Sequence, residues 1–332
     1  MSAARIIKNP SIWVSIMNTN PSILKDQAEL NLSDLKTLPP INQFQDVMDV
    51  LISGKITNQF CLNLSSYDHG ASQNNVLTKS YFQLIANALI SGKCPVNFQL
   101  NLSFTWLISD AEKIQLLTNA LKSSQCPKGF SLDLSRNYLH NYLNYFTGVL
   151  IKCPVGFQLC LDSCHLDDND IITLVKEIVN PECNLQVLSL KNNKITNEGA
   201  LLILAVITKK GYSDLKLDLS GNEIDPQILS EITLQLEKNR TNYSIACAVI
   251  QQGLDCKKSR ISKLPQSVAN HIYQFLMPVE SPKIRFFENK LKSKMHKKEI
   301  KQEIGGNHTS SSNTKATHAG DDKASSICCA IL

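Results

Sequence analysis

The sequence predicts an α/β solenoid, in which short parallel strands alternate with helices along a one-dimensional array. One observation is a series of seven Leu-x-Leu cores, at residues 30–32, 62–64, 100–102, 132–134, 159–161, 188–190 and 217–219. A second is their spacing of 27 to 38 residues, since regular periods in this range are typical of repeat proteins. A third is the apolar period between the cores, which changes from two to about 3.6 residues, as expected when a strand is followed by an amphipathic helix.

Each core predicts a strand whose two leucines face inward, because alternate side chains of a strand point to the same face. A residue three positions after the last four cores is Asn or Cys, namely Asn137, Cys164, Asn193 and Asn222. We expect its side chain to turn inward and bond backbone groups that the loop leaves unpaired. Aromatic residues precede four cores by two positions, which predicts an internal ladder of rings from Phe60, Phe98, Phe130 and Phe157.

The segments between the cores predict helices, because their apolar residues recur at helical spacing. These segments are 40–53, 78–91, 109–122, 139–151, 168–179, 196–209 and 226–238. Three of them lead into a Cys-Pro pair, at Cys94, Cys126 and Cys153. Proline ends the helix there and directs the chain towards the next strand.

A strand-helix unit of 27 to 29 residues resembles the ribonuclease-inhibitor type of leucine-rich repeat. The resemblance covers residues 28–240, and it implies an arc with parallel strands on the concave side and helices on the convex side. Such an array needs ends that cover its apolar interior. We therefore expect an N-terminal cap at residues 1–27 and a helical C-terminal cap at 241–282.

A basic, amphipathic segment follows at residues 283–304. Residues 1–282 contain equal numbers of basic and acidic residues, so the whole net charge of +5 lies in the last 50 residues. We expect this segment to contact an anionic membrane surface through Lys283, Arg285, Lys290, Lys292, Lys294, Lys297, Lys298 and Lys301. Residues 305–328 are rich in Gly, Ser, Thr, Asn and Asp, which predicts a disordered linker.

The last four residues of the sequence match a prenylation box. Cys329 is followed by Ala330, Ile331 and Leu332, and leucine at the last position favours a geranylgeranyl group on the cysteine. A prenyltransferase would recognise these four residues, and the covalent isoprenoid is the only cofactor-like group that we expect. Cys328 is a possible site for a palmitoyl group, because a single lipid chain anchors a protein only marginally.

The Cys-Pro-x-x-Phe connectors, the irregular repeats and the polar tail resemble the leucine-rich-repeat effectors of the intracellular pathogen Legionella. This resemblance implies translocation into a host cell by a type IV secretion system. It also implies prenylation by host enzymes, so that the chain would act at the cytosolic face of host membranes.

Binding to a host protein, without catalysis, is the function that the sequence predicts. No Ser/His/Asp or Cys/His constellation can be assigned, and no phosphate-binding Gly-rich loop is present. The pair Cys160 and Cys164 with His165 fits no standard zinc spacing, so no metal is expected. Nucleic acid is not an expected partner either, because residues 1–282 have no excess of basic residues.

The concave strand face is the expected partner-binding surface. Its outward positions are polar and slightly acidic, and they include Asn101, Asp133, Asp162 and Asp218. Aromatic side chains anchor many protein interfaces. The aromatic anchors expected just beyond the strand ends are Phe104, Trp106 and Tyr138.

Residues 264–276 permit a second interpretation of the chain. Their apolar spacing resembles the first helix of an F-box, which would make the protein a ubiquitin-ligase adaptor with the repeats as substrate receptor. The same residues also fit a capping helix that packs on the last repeat, and we favour this interpretation because only the first third of the F-box pattern is present.

Overall fold

The computed structural model describes residues 5–19, 28–33, 38–56, 59–65, 77–105, 111–180 and 182–255. Its strands form one all-parallel sheet of eight, in which each strand pairs with the next one along the chain. They are β1 (Arg5–Ile7), β2 (Ala28–Asn31), β3 (Phe60–Asn63), β4 (Gln99–Asn101), β5 (Ser131–Asp133), β6 (Phe157–Cys160), β7 (Leu185–Ser189) and β8 (Lys216–Asp218). The predicted α/β class with parallel strands is confirmed.

Helices alternate with these strands along the chain. They are α1 (Pro10–Thr19), α2 (Ile41–Leu51), α3 (Lys79–Ile90), α4 (Ala111–Lys122), α5 (Val149–Lys152), α6 (Asp168–Ile178), α7 (Asn197–Lys210) and α8 (Pro226–Asp255). The chain divides into two compact units, one with the sheet and α1–α6, the other with α7 and α8. In the first unit, each helix packs against the helix that follows it.

The first leucine of every core lies in one row across the sheet. Strand pairing places side by side Leu30, Leu62, Leu100, Leu132, Leu159, Leu188 and Leu217. Backbone hydrogen bonds then continue the pairing beyond the strands, for example from Leu102 N–H to the Asp133 carbonyl oxygen at 2.8 Å. All these leucines and their second-position neighbours are buried, except that Leu217 is partly exposed. Burial of this apolar face is the main force that fixes the register.

The predicted aromatic ladder is present behind the sheet. Phe60, Phe98, Phe130 and Phe157 stack with ring centroids 6.1, 5.7 and 5.9 Å apart, and each ring is almost fully buried. Trp13 of α1 extends the ladder, with its ring 5.2 Å from that of Phe60. The ladder therefore begins inside the segment that the sequence predicts to be a cap.

That segment also contains a strand which the Leu-x-Leu pattern does not reveal. Strand β1 pairs with β2, and Ile7 lies opposite Leu30. The sequence Arg5-Ile-Ile7 has no leucine core, and Ile6 is 55% exposed. Its only sequence signal is a pair of β-branched residues, which is too weak to predict a strand by itself.

The helix predicted at 139–151 is wrong. The structure has a 3-10 turn (Leu143–Phe146) and the one-turn helix α5 instead. The same apolar residues are buried in this arrangement as well, among them Leu143, Phe146 and Leu150. Gly148, with a φ of +81°, separates the two pieces in the left-handed conformation that a continuous helix excludes.

In the second unit, α7 and α8 pack against each other. The amide nitrogen of Asn239, a fully buried side chain of α8, donates to the Ile207 carbonyl oxygen of α7 at 2.7 Å. Helix α8 runs beyond the predicted end at residue 238 to Asp255, because no Gly or Pro occurs between Gln227 and Gln252. It thereby includes the first part of the predicted C-terminal cap. None of the described helices combines the length and apolar composition needed to cross a bilayer.

Candidate partner-binding site

The polar residues between the two leucines of a core bind the backbone at the strand end. The Oδ1 atom of Asn101 accepts a hydrogen bond from Ser103 N–H at 2.9 Å. Asp133 does the same with Ser135 at 2.8 Å. The same bond forms at Asn31, Asn63 and Asp218. The recurring sequence Leu-Asn/Asp-Leu-Ser therefore encodes a local turn, a role that sequence reasoning missed.

Asp218 shows what this turn does to a carboxylate. Hydrogen bonds from the side chain and the backbone of Ser220 lower the pKa of the Asp218 carboxyl, and the Lys191 charge adds to the effect against the opposing effect of burial. Donors of the same chain thus stabilise the negative charge of the Asp218 carboxylate. Asp218 is exposed, as a partner site requires, but its Oδ1 atom already accepts a hydrogen bond from Ser220 N–H at 2.9 Å.

Asp162 has a different role because it occupies the serine position of its repeat. Its Oδ1 atom accepts from the Ser189 hydroxyl at 2.5 Å and from the Lys191 N–H at 2.9 Å. The position between the leucines holds Cys160, whose sulfur lies 3.1 Å from the Ser135 hydroxyl oxygen. Asp162 therefore joins two neighbouring repeats and is half-buried.

The predicted inward role of the Asn/Cys position is confirmed. The Asn137 amide nitrogen donates at 2.9 Å to the carbonyl oxygens of Leu102 and Leu134, and its oxygen accepts from Thr105 N–H at 3.2 Å. Cys164 uses its thiol in the same place, 3.3 Å from the Leu134 carbonyl oxygen. Burial raises the pKa of the Cys160 thiol to about 11, which disfavours the thiolate that metal binding or nucleophilic attack requires.

Three aromatic residues were expected as anchors, and the structure describes two of them, Tyr138 and Phe104. Tyr138 is the more exposed of the two. It is 49% exposed, and its ring packs against His165 with centroids 5.0 Å apart and edge-on against His140 at 6.3 Å. Phe104 is half-buried in a left-handed turn with a φ of +56°. Trp106 lies outside the described residues.

His140, Asp167 and Asp170 form a group that could hold a metal ion, with ligand atoms within 4.8 Å of one another. Their carboxylates already have protein partners. Asp167 Oδ1 accepts from Asn169 and Asp170 N–H, while Asp170 accepts from Asp167 and Asn141 N–H. His140 Nδ1 lies 2.9 Å from Asp170 Oδ2. This reciprocal pair is a capping box at the start of α6, and the spacing Asp-x-x-Asp before an apolar run was the sequence signal for it.

The predicted membrane and lipidation sites lie outside the described residues. They comprise the basic positions from Lys283 to Lys301, Cys328, and the box from Cys329 to Leu332. Residues 264–276, for which a capping helix and an F-box helix were the two interpretations, lie outside them as well. No protein-family model and no curated protein matches the chain.

Proposed function

We propose that the chain is a non-enzymatic protein-binding scaffold of the leucine-rich-repeat type, with strands on a concave side and helices on a convex side. One observation carries the proposal: seven successive strands align equivalent leucines in register, all buried except the partly exposed Leu217, and leave equivalent polar positions at least partly exposed. The repeated inward Asn or Cys and the stacked phenylalanines support it. A long row of repeated side chains suits an extended protein partner better than a small substrate.

We place the main contact with the partner at the loops after β5 and β6, where the Tyr138 ring packs against the rings of His140 and His165. Tyrosine contributes large contact area at low conformational cost, so an exposed and braced ring is a favourable anchor. Asn101, Asp133, Asp162 and Asp218 complete the surface as polar neighbours. Phe104 lies at the equivalent turn of the preceding repeat.

Capture from host-cell lysate, followed by direct binding to the purified partner, tests this proposal. The Tyr138→Ala variant should bind the partner at least about ten-fold more weakly, as expected for an interface anchor. Tyr243→Ala, which changes an exposed tyrosine of α8, is the matched control. Equal binding by both variants would remove Tyr138 from the interface, and failure of the wild type to bind any protein directly would reject the scaffold.

The proposed scaffold acts at the cytosolic face of a host membrane. A geranylgeranyl group on Cys329 inserts into the bilayer, the basic segment at 283–304 attracts anionic lipid, and the linker at 305–328 connects the basic segment to the lipidated cysteine. Two weak anchors together give stable attachment where a single lipid chain does not. Entry into the host through type IV secretion belongs to the same proposal, supported by the resemblance of the connectors and the tail.

A further inference from the structure

The geometry points to an acidic segment of the protein partner as the ligand of the loops after β5, β6 and β7. The binding groups are Arg136, His165, Lys191 and Lys194, which we call the basic loop cluster, together with the ring of Tyr138. This inference rests on the proposed scaffold function and adds the chemistry of the partner. The slightly acidic character expected from the sequence belongs to the outward strand positions, whereas Arg136, His165 and Lys194 lie in the loops beyond the strand ends.

Backbone N–H groups and one serine hydroxyl of the protein already bind the carboxylates of Asp133 and Asp162 on this surface. Asp133 accepts from Ser135 N–H, Asp162 accepts from Ser189 and Lys191, and Asp162 is only partly exposed. A carboxylate that receives N–H donors from its own chain needs no cation from a partner. These negative charges consequently contribute less to recognition than their number suggests.

The cations of the basic loop cluster are in the opposite situation. Arg136, Lys191 and Lys194 are exposed, and no hydrogen bond or ion pair between described residues uses their side-chain nitrogens. The Lys191 charge lowers the pKa of the Asp218 carboxyl, and the backbone N–H of Lys191 donates to Asp162 Oδ1 at 2.9 Å. The imidazole of His165 is exposed as well and contacts the Tyr138 ring.

Backbone hydrogen bonds hold these side chains on successive loops. Arg136 N–H donates to the Asp162 carbonyl oxygen at 2.8 Å, and Ser163 N–H donates to the Lys191 carbonyl oxygen at 2.8 Å. Lys194 N–H likewise donates to the Leu166 carbonyl oxygen, next to His165. Neighbouring parallel strands lie about 4.8 Å apart, so the cluster presents donors at closely spaced levels that an extended acidic peptide can follow.

Complementary charge favours a peptide that carries carboxylates over a neutral one, because paired charges at an interface select the partner and speed its encounter. The aromatic pair favours a peptide over a flat anionic membrane, since Tyr138 and His165 pack against each other, are both exposed and offer apolar contact to a chain laid across them. The membrane function is proposed for a separate segment, residues 283–304.

A short fluorescein-labelled peptide of alternating Glu and Ser is a suitable probe, used with the full-length protein and fluorescence anisotropy. The site variant combines Arg136→Gln, Lys191→Gln and Lys194→Gln. The control variant combines Lys93→Gln, Lys128→Gln and Lys152→Gln, which removes the same charge from exposed positions elsewhere. The site variant and the control variant both keep the basic tail, so any attraction of the tail for the probe is the same in the two measurements. Circular dichroism verifies that both variants fold.

We expect the site variant to bind the Glu peptide about ten-fold more weakly than the control variant, from three surface ion pairs of modest strength. The difference should shrink as salt screens the charges. Equal binding by the two variants overturns the inference. So does a matched Gln-Ser peptide that binds as well as the Glu-Ser peptide, or a defect of the site variant that appears only with phosphatidylserine vesicles.

Failure of the acidic-ligand inference can be distinguished from failure of the scaffold proposal. Suppose that Tyr138→Ala weakens binding of the captured partner, while the site variant binds as tightly as its control. The scaffold proposal then stands, and the inference of an acidic ligand is wrong. If the wild type binds no partner protein directly, the scaffold fails whatever the peptide does.

Discussion

The side-chain nitrogen of Asn193 lies 2.9 Å from the carbonyl oxygen of Leu161, a residue of the preceding repeat. The same nitrogen also donates to the Leu190 carbonyl oxygen, and Oδ1 accepts from the N–H groups of Cys164 and Leu166. One buried amide thus satisfies backbone groups on two successive loops. It joins neighbouring repeats through hydrogen bonds that an apolar side chain cannot supply.

Replacing Asn193 with alanine should therefore lower the free energy of unfolding by about 3 kcal/mol, because several buried backbone groups lose their partner at about 1–3 kcal/mol each. Urea denaturation followed by circular dichroism measures the loss. Asn119→Ala, at an exposed position of α4, is the control and should change stability very little. A loss no larger than that of the control would show that water replaces the amide.

Replacing Asn193 with cysteine should cost less than replacing it with alanine. Cys164 occupies the equivalent position one repeat earlier, and its thiol donates to the Leu134 carbonyl oxygen at 3.3 Å. The thiol offers one weak donor where the amide offers two donors and an acceptor. The midpoint in urea should accordingly fall between those of the wild type and Asn193→Ala; a midpoint at or below that of the alanine variant contradicts the shared role.

Gly221→Ala should destabilise the protein more than Gly54→Ala. Both glycines have a positive φ, of +72° and +78°, which costs an alanine about 1 kcal/mol or more. At Gly221 an added Cβ would also lie 2.0 Å from Asn192 Oδ1 and 3.3 Å from its backbone nitrogen, whereas nothing lies within 4 Å at Gly54. Thermal unfolding compares the two, and equal losses would mean that the Asn192 side chain moves away freely.

Stability should fall as the pH rises through the titration of Glu177. Burial raises the pKa of the Glu177 carboxyl, against the lowering effects of the Gly148 N–H and the Lys122 charge. The unfolded chain loses this proton at the ordinary value, while the folded chain still holds it. The folded state therefore loses relative stability with rising pH until both states are ionised.

Glu177→Gln should remove this pH dependence and be the more stable protein at neutral pH, because glutamine still accepts from Gly148 N–H, as Oε2 does now at 2.7 Å. Urea denaturation from roughly pH 4 to pH 8 spans the relevant range. Glu237→Gln, at an exposed position of α8, is the control. If both variants follow the wild-type pH profile, the titrating group is not Glu177.

Cys329→Ser should release the protein from membranes of eukaryotic cells into the soluble fraction. The physical reason is the loss of the isoprenoid chain, each buried methylene of which contributes about 0.8 kcal/mol before ordering costs. Fractionation and mass spectrometry of the C-terminal peptide measure both attachment and lipidation. Cys328→Ser is the matched control, and it should leave the geranylgeranyl group in place. A membrane-bound protein with a free Cys329 thiol would falsify this anchoring mechanism.

Local patterns were enough to predict most of the sheet. The leucine cores, the phenylalanine ladder and the inward position of Asn137 follow from side-chain period and from the need to pair buried backbone groups. The lipidation box, the basic segment and the F-box interpretation remain predictions. Strand β1 was missed because its sequence has no leucine core, and the helix at 139–151 was wrong because apolar spacing alone does not distinguish a helix from two short turns around Gly148.

The chemistry of the proposed surface depended on tertiary contacts. In the sequence, Asp162 and Lys191 are two opposite charges 29 residues apart, and both count as outward positions. Only the register of neighbouring loops brings the Lys191 N–H to the Asp162 carboxylate while the Lys191 ammonium group stays exposed. Periodicity determined which face each residue takes, because that depends on adjacent residues. Which charges the protein itself satisfies depended on hydrogen bonds between repeats, and those exist only once the strands have paired.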